Sequence, residues 1–187
     1  MTKGIHVAPY LRAWCLAFSV LLLAVGTSHA SLSRAPNLVL ENYFLGKLRG
    51  TGTCQDSEHG TRTATFSGIG TLIPGGLRLT YDVVFSDGER QHKVWTFMKA
   101  GDGHYIGRRD DVVGDAQITQ SGDDIHMSYK ARVATNGGVK NVSFDEHFTL
   151  TASGTIVNQL TASYLFLSVA NSEITIHKAA TRSPLLR

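Results

Sequence analysis

Two arginines meet two aspartates in HYIGRRDDVVGDAQI, His104–Ile118, between Gly107 and Gly114. Arginine holds a carboxylate in a bidentate fork. The run could therefore carry an ion pair, bind an anionic group, or do catalysis with aspartate as acid–base and arginine as electrostatic stabiliser. Successive strand side chains point to opposite faces. On a strand, Arg109, Asp111 and Val113 share one face and Arg108, Asp110 and Val112 the other, so each face holds one Arg–Asp pair. An exposed pair contributes only about 0–1 kcal/mol. Glycine inside a barrel strand marks a bend or a close backbone approach. The local reading is a kinked strand whose inward pair, Arg109–Asp111, holds the wall together in preference to a ligand.

Other polar residues fall on apolar faces. In NVSFDEHFTL, Glu146 shares a face with Val142, Phe144, Phe148 and Leu150, while Asp145 and His147 point the other way. An inward carboxylate is costly unless paired, hydrogen-bonded or protonated. The expected partner is a buried arginine, and a functional acid is the alternative. In IVNQLTASYLFL, Asn158 and Tyr164 share a face with Ile156, Leu160, Ala162 and Phe166. There Asn158 either lines a cavity, as the few polar groups of a ligand pocket do, or bonds to a neighbouring loop.

Familiar motifs are missing. GTGTC lacks the third glycine and the lysine of a phosphate loop, and there is no G-x-S-x-G elbow. Histidines 59, 92, 104, 126, 147 and 177 show no H-x-x-x-H or C-x-x-C spacing. No metal and no cofactor are expected, although strands can bring distant ligands together.

The elements that must position these residues read as β-structure nearly throughout. LRLTYDVVF sets Leu77, Leu79, Tyr81, Val83 and Phe85 against Arg78, Thr80 and Asp82. IHMSYKARV sets Ile125, Met127, Tyr129, Ala131 and Val133 against His126, Ser128, Lys130 and Arg132. SDGE, GDG, TNGG and SGT punctuate the strands, and Asn136-Gly137 in TNGG readily takes positive φ. NLVLENYFLG, residues 37–46, is the one helical turn, with Leu38, Tyr43 and Leu45 available to pack. Nine or ten strands with short links, and no long amphipathic helices between them, exclude a doubly wound parallel sheet. A meander of this length closes to remove its edges. The expected fold is all-β: an antiparallel up-and-down lipocalin-like barrel of about 8–10 strands, with a two-sheet β-sandwich as the alternative. The face assignment is weakest over Thr61–Gly70.

Residues 1–30 resemble a cleavable signal peptide. Lys3 and Arg12 precede the 13-residue apolar run Ala13–Val25, and Ser28-His29-Ala30 offers small residues at a cleavage site. The run falls short of the about 17–25 residues of a membrane span. Residues 31–36 then form a linker, 37–180 one β-barrel domain and 181–187 a loose tail. The expected location is the bacterial periplasm or the medium, without a transmembrane segment after cleavage; a retained anchor is the alternative. With Lys3 and Arg12 removed, the 18 basic residues become 16 against 15 acidic ones, a net charge of +1. That gives no electrostatic case for nucleic acid. Cys54 is then the only cysteine, which reads as a buried free thiol, with an intermolecular disulfide as the alternative.

DGERQHKVW (Asp87–Trp95) and YIGRRDDVVGDA (Tyr105–Ala116), with LENYFLGKLRGTGTCQD and FDEHFTL, also resemble the bacterial family called Domain of Unknown Function 3833. The resemblance implies an exported, lipocalin-like protein, often a lipoprotein, with a connection to fatty-acid-modifying enzymes. It singles out Arg90, Trp95, Gly107, Asp111, Val112 and Gly114 as signature positions. This chain departs from the family in having no lipoprotein cysteine, in having His147 at an aromatic position, in Asn158-Gln159 where the family has Asn-Arg, and in lacking a basic residue near Tyr164.

The leading expectation is a barrel that binds a small apolar or fatty-acyl ligand. Arg109, Asp111, Glu146 and Asn158 would be its polar contacts, with Trp95 and Tyr129 among the walls. An enzyme modifying a lipid, and a barrel filled by side chains that serves interaction alone, are the alternatives.

Overall fold

The computed structural model describes residues 39–179. The segments expected as signal, linker and tail, with Leu38, lie outside the described residues. One short helix, α1 (Leu40–Phe44), precedes ten strands: β1 (Gly46–Asp56), β2 (Gly60–Ile73), β3 (Gly76–Phe85), β4 (Arg90–Gly101), β5 (His104–Arg108), β6 (Ala116–Ser121), β7 (Asp124–Thr135), β8 (Gly138–Leu150), β9 (Ile156–Tyr164) and β10 (Leu167–Lys178). Each strand pairs antiparallel with its chain neighbour, and β1 pairs with β10 from Leu48↔Lys178 to Asp56↔Ala170, so the sheet closes. Closure leaves no edge strand exposed, and the barrel, rather than the sandwich, is the fold.

The alternation that predicts the strands also sorts their faces. On β3, Leu77, Leu79, Val83 and Phe85 are buried; on β7, Ile125, Met127, Tyr129 and Ala131 are. An up-and-down meander sends alternate hairpins to opposite ends. One end carries the β1–β2, β3–β4, β5–β6, β7–β8 and β9–β10 links and forms the mouth. The other end is covered by α1. Leu40 and Phe44 of α1 are the residues buried there, whereas Leu45, expected to pack, is 41% exposed. Tyr43 Oη donates to the carbonyls of Gly154 and Ile176, and Tyr105 Oη donates to Glu41 at 2.7 Å. Gly70 makes room for this cap, since a Cβ there would lie 1.8 Å from the Phe44 carbonyl oxygen.

Two hairpins differ from expectation. In TNGG the positive φ falls on Gly138 (92°) and not on Asn136 or Gly137, the pattern of a turn closed by a glycine bulge. The link between β9 and β10 has positive φ at both central residues, Leu165 (49°) and Phe166 (69°), with Tyr164 paired to Leu167. Type I′ turns share that requirement and favour Asn-Gly. Phe166 therefore leaves the inward face assigned to it and is fully exposed at 103%, because β9 ends at Tyr164 and the chain reverses there.

Candidate functional site: a polar path into the barrel

HYIGRRDDVV is not a strand throughout. β5 ends at Arg108, and residues 109–115 form a loop laid over β7. Val112 is bridged to Ala131 and buried, Val113 N donates to the Lys130 carbonyl, and Arg132 N donates to the Asp111 carbonyl. Strand β6 is short, so the loop takes up pairing along β7 where β6 leaves off. Gly114 reverses the chain at φ 77°. Gly107 lets Trp95 approach, as a Cβ there would sit 3.2 Å from the Trp95 ring and 2.9 Å from Ile118 Cδ1. Arg90 is exposed at the start of β4.

This loop turns Arg109 inward. Its side chain is 7% exposed, its Nε donates to Asp111 Oδ1 at 2.5 Å, and its guanidinium lies 4.5 Å over the Trp95 ring and 5.2 Å from the Tyr129 ring. Burial works against the charge, but Tyr129, Tyr81 and Asp111 outweigh it and hold Arg109 firmly protonated. Asp111 also accepts from Lys93 Nζ at 3.0 Å. Burial raises the Asp111 pKa, and Arg109 and Lys93 more than compensate, leaving it below the ordinary value. The outer pair differs from expectation: Arg108 joins Asp115, with Nε–Oδ1 at 2.8 Å, and not Asp110. The loop carries Asp110 away, and the Asp110 carbonyl instead accepts from Arg132.

Deeper in the barrel, Glu146 is 7% exposed. It accepts from Tyr129 Oη at 2.7 Å and from Asn158 Nδ2 at 3.2 Å. The expected arginine partner is replaced by these two neutral donors. Burial pushes the carboxyl above its ordinary range, against the opposing pull of Tyr129, Arg109 and Asn158. Asn158 thus bonds to the inward carboxylate of the adjacent strand β8 rather than to a loop. Burial and the nearby Glu146 raise the Tyr81 phenol to about 12.

These groups line one cavity of about 710 Å³ that runs from the mouth toward α1, with Phe44, Met127, Phe144 and Phe148 among its walls. Such a volume lies within the about 300–1,000 Å³ usual for ligand pockets. Cys54 is also on this wall. It is half-buried rather than fully buried, and burial raises its thiol pKa.

Two further clusters are not legible in the sequence. Arg62 is 7% exposed at the mouth, 4.2 Å over the Phe85 ring, and donates to Asp56, Asp87 and Glu89 at 2.6–2.9 Å. Its inward register on β2 is the only signal available, and the alternation there is weak. On the outer wall, strand pairing sets His126 directly opposite His147, with Asp145 beside them. These histidines are therefore not isolated, since the juxtaposition depends on register and not on spacing.

A closed antiparallel lipocalin-like barrel with a mostly apolar cavity and a short chain of buried polar groups is the class that fold and site define. The family described as Protein of unknown function (DUF3833) matches residues 20–178, and the chain belongs to it. No curated protein matches the sequence. Among solved structures, the S-type phycobiliprotein lyase CPES from Guillardia theta is similar, with a TM-score of 0.56 at 8% identity over 79% of this chain and 96% of that one. Rv2717c from M. tuberculosis is similar with a TM-score of 0.50 at 12% identity over 73% of this chain and 93% of that one. At these identities the likeness concerns the fold. Among the described residues, no helix is long and apolar enough to cross a membrane.

Proposed function

We propose that this protein is an exported binder of an amphipathic acyl ligand, whose anionic head meets Arg109 and whose chain fills the barrel. One observation carries the reading: a buried guanidinium stands on the wall of an apolar cavity, and Asp111 takes only its Nε side. The terminal amino groups, with the Tyr81 phenol beside the guanidinium, would take a carboxylate, which arginine grips in a fork. Lys93, sharing Asp111, adds a second positive group nearer the mouth. Glu146, whose carboxyl burial pushes above its ordinary range, contributes a polar group farther down. An interior packed solid with side chains would leave no such cavity. The enzymatic alternative gains no support from the Asp111 geometry, since that carboxylate is already held by two cations and is a weak base.

Trp95 is the sole tryptophan outside the proposed signal, and it lies under Arg109. Its fluorescence therefore reports ligand entry. Palmitate should shift the Trp95 emission saturably, and Arg109→Met should weaken binding about tenfold to a hundredfold, matching the loss of a charge-assisted hydrogen bond of about 1.5–3 kcal/mol. Hexadecanol should bind both proteins alike. Native mass spectrometry of protein purified from a bacterial envelope should show a co-purifying acyl species. No response to palmitate together with a clean apo mass would overturn the reading.

A further inference from the structure

The β9–β10 tip departs from the inward-apolar pattern of the strands it joins. Leu165, Phe166 and Leu167 are 71%, 103% and 71% exposed, and Val139 on the adjacent β7–β8 hairpin is 67% exposed. Leu165 and Phe166 also occupy left-handed backbone, which L-residues with bulky side chains adopt at a cost and which persists at functional sites. Asn-Gly would suit this turn better and would expose nothing apolar. Both hairpins stand at the mouth of the cavity, and Lys140 lies 5.9 Å from the Tyr164 ring between them. Of the rim's acidic groups, Asp56, Asp87 and Glu89 are engaged by Arg62, Asp111 by Lys93 and Arg109, and Glu58 accepts from Asn136 N at the turn of the β7–β8 hairpin.

We infer that the Leu165–Leu167 tip, with Val139 and Lys140, seats the barrel mouth on a bilayer containing anionic lipid. The apolar side chains enter the acyl boundary, Tyr164 lies at headgroup depth as interfacial aromatics do, and Lys140 meets phosphate. The inference rests on the tip and not on the cavity ligand, so it can fail while the binding reading stands.

Leu165→Asn/Phe166→Gly separates folding from docking, because it installs the preferred turn while deleting the apolar tip. In co-sedimentation with vesicles of phosphatidylcholine and phosphatidylglycerol, the wild-type protein should partition onto the vesicles. The double variant should partition at least about tenfold less, since each buried Leu or Phe is worth about 1.5–3 kcal/mol, while unfolding at a higher urea midpoint. Lys140→Glu should weaken partitioning onto the mixed vesicles and leave that onto pure phosphatidylcholine unchanged. Palmitate binding should be unaltered in the double variant. Wild-type protein that stays in the supernatant, or a double variant that sediments equally, would overturn the inference.

A different observation, on the outer wall, carries a second site. His126 Nε2 lies 2.7 Å from Asp145 Oδ2, and His147 Nε2 lies 3.0 Å from Asp145 Oδ1. The imidazoles stack at 4.5 Å, and one ligand atom from each of the three residues falls within 4.8 Å of the others. The geometry points to a divalent transition-metal site of the His₂Asp kind, open to solvent on its remaining position. Tetrahedral zinc needs nitrogen and oxygen at about 2.0–2.2 Å, which small rotamer changes supply. Zinc alone, titrated into the protein, should bind saturably at one equivalent. Each of His126→Ala, His147→Ala and Asp145→Asn should weaken it about tenfold or more, with unchanged metal-free thermal unfolding. Cobalt should give visible bands of a nitrogen–oxygen site. Absence of saturable uptake, or one-equivalent binding kept by His126→Ala/His147→Ala, would overturn it.

Discussion

Replacing Glu146 by glutamine removes a titratable carboxyl from the barrel interior while keeping its volume and its bond from Tyr129. Burial raises the wild-type carboxyl above its ordinary 4.5 in the folded protein, and no arginine is within bonding distance to reverse that. Below pH 4.5 the group is protonated folded and unfolded, so wild type and Glu146→Gln should change with pH in parallel. As pH rises past 4.5 the unfolded chain releases this proton and the folded chain holds it. Wild-type stability then falls by about 1.4 kcal/mol for every pH step of one until the folded pKa is passed. The glutamine variant is spared that loss. Its advantage opens from pH 4.5 upward and levels off above the folded pKa. With a urea m-value of about 1–3 kcal/mol/M, each pH step of one over which the folded chain holds the proton separates the two midpoints by about a further 0.5–1.4 M. Urea unfolding of both proteins across this range measures the gap. A gap that is flat with pH, or a wild type that gains on the variant as pH rises, would show that Arg109 governs Glu146 and that the burial argument is wrong.

Other outcomes follow from the same geometry. Asp111→Asn should destabilise by about 1–2 kcal/mol at neutral pH, less than a fully buried pair because Asp111 is 27% exposed. The folded pKa of Asp111 is depressed, so the wild-type advantage should be present above pH 3.8 and vanish as pH falls through the folded pKa, as acid-titrated melts will show. Arg62→Met should cost about 2 kcal/mol in chemical denaturation. That is below the ~3–5 kcal/mol of breaking a buried pair, since Asp87 and Glu89 are over a third exposed and re-hydrate. Gly70→Ala should dislodge α1, because its Cβ collides with the Phe44 backbone and not with a movable side-chain end. Hydrogen exchange should then lose protection at Leu45 N, which bonds to the Glu41 carbonyl, with the strands intact.

Period-two alternation on β3 and β7 determined which side chains face inward, and on β7 and β8 it placed Tyr129 and Glu146 in the interior. Turn residues determined where most hairpins lie. The lack of long helices, together with the edge problem of a ten-strand meander, determined closure. These are local properties, written by each residue and its near neighbours. Tertiary structure decided the rest, because partners across a barrel are chosen by register and by loop path. The loop over β7 sent Arg108 to Asp115 and let Lys93 join Arg109 on Asp111. Cross-strand pairing gave Glu146 a tyrosine and an asparagine in place of an arginine, and brought His126 onto His147. The Leu165-Phe166 turn shows the division most sharply. Its apolar pattern reads as continuing strand, yet the tie of Tyr164 to Leu167 across the hairpin forces both residues into left-handed backbone and out into solvent at the mouth.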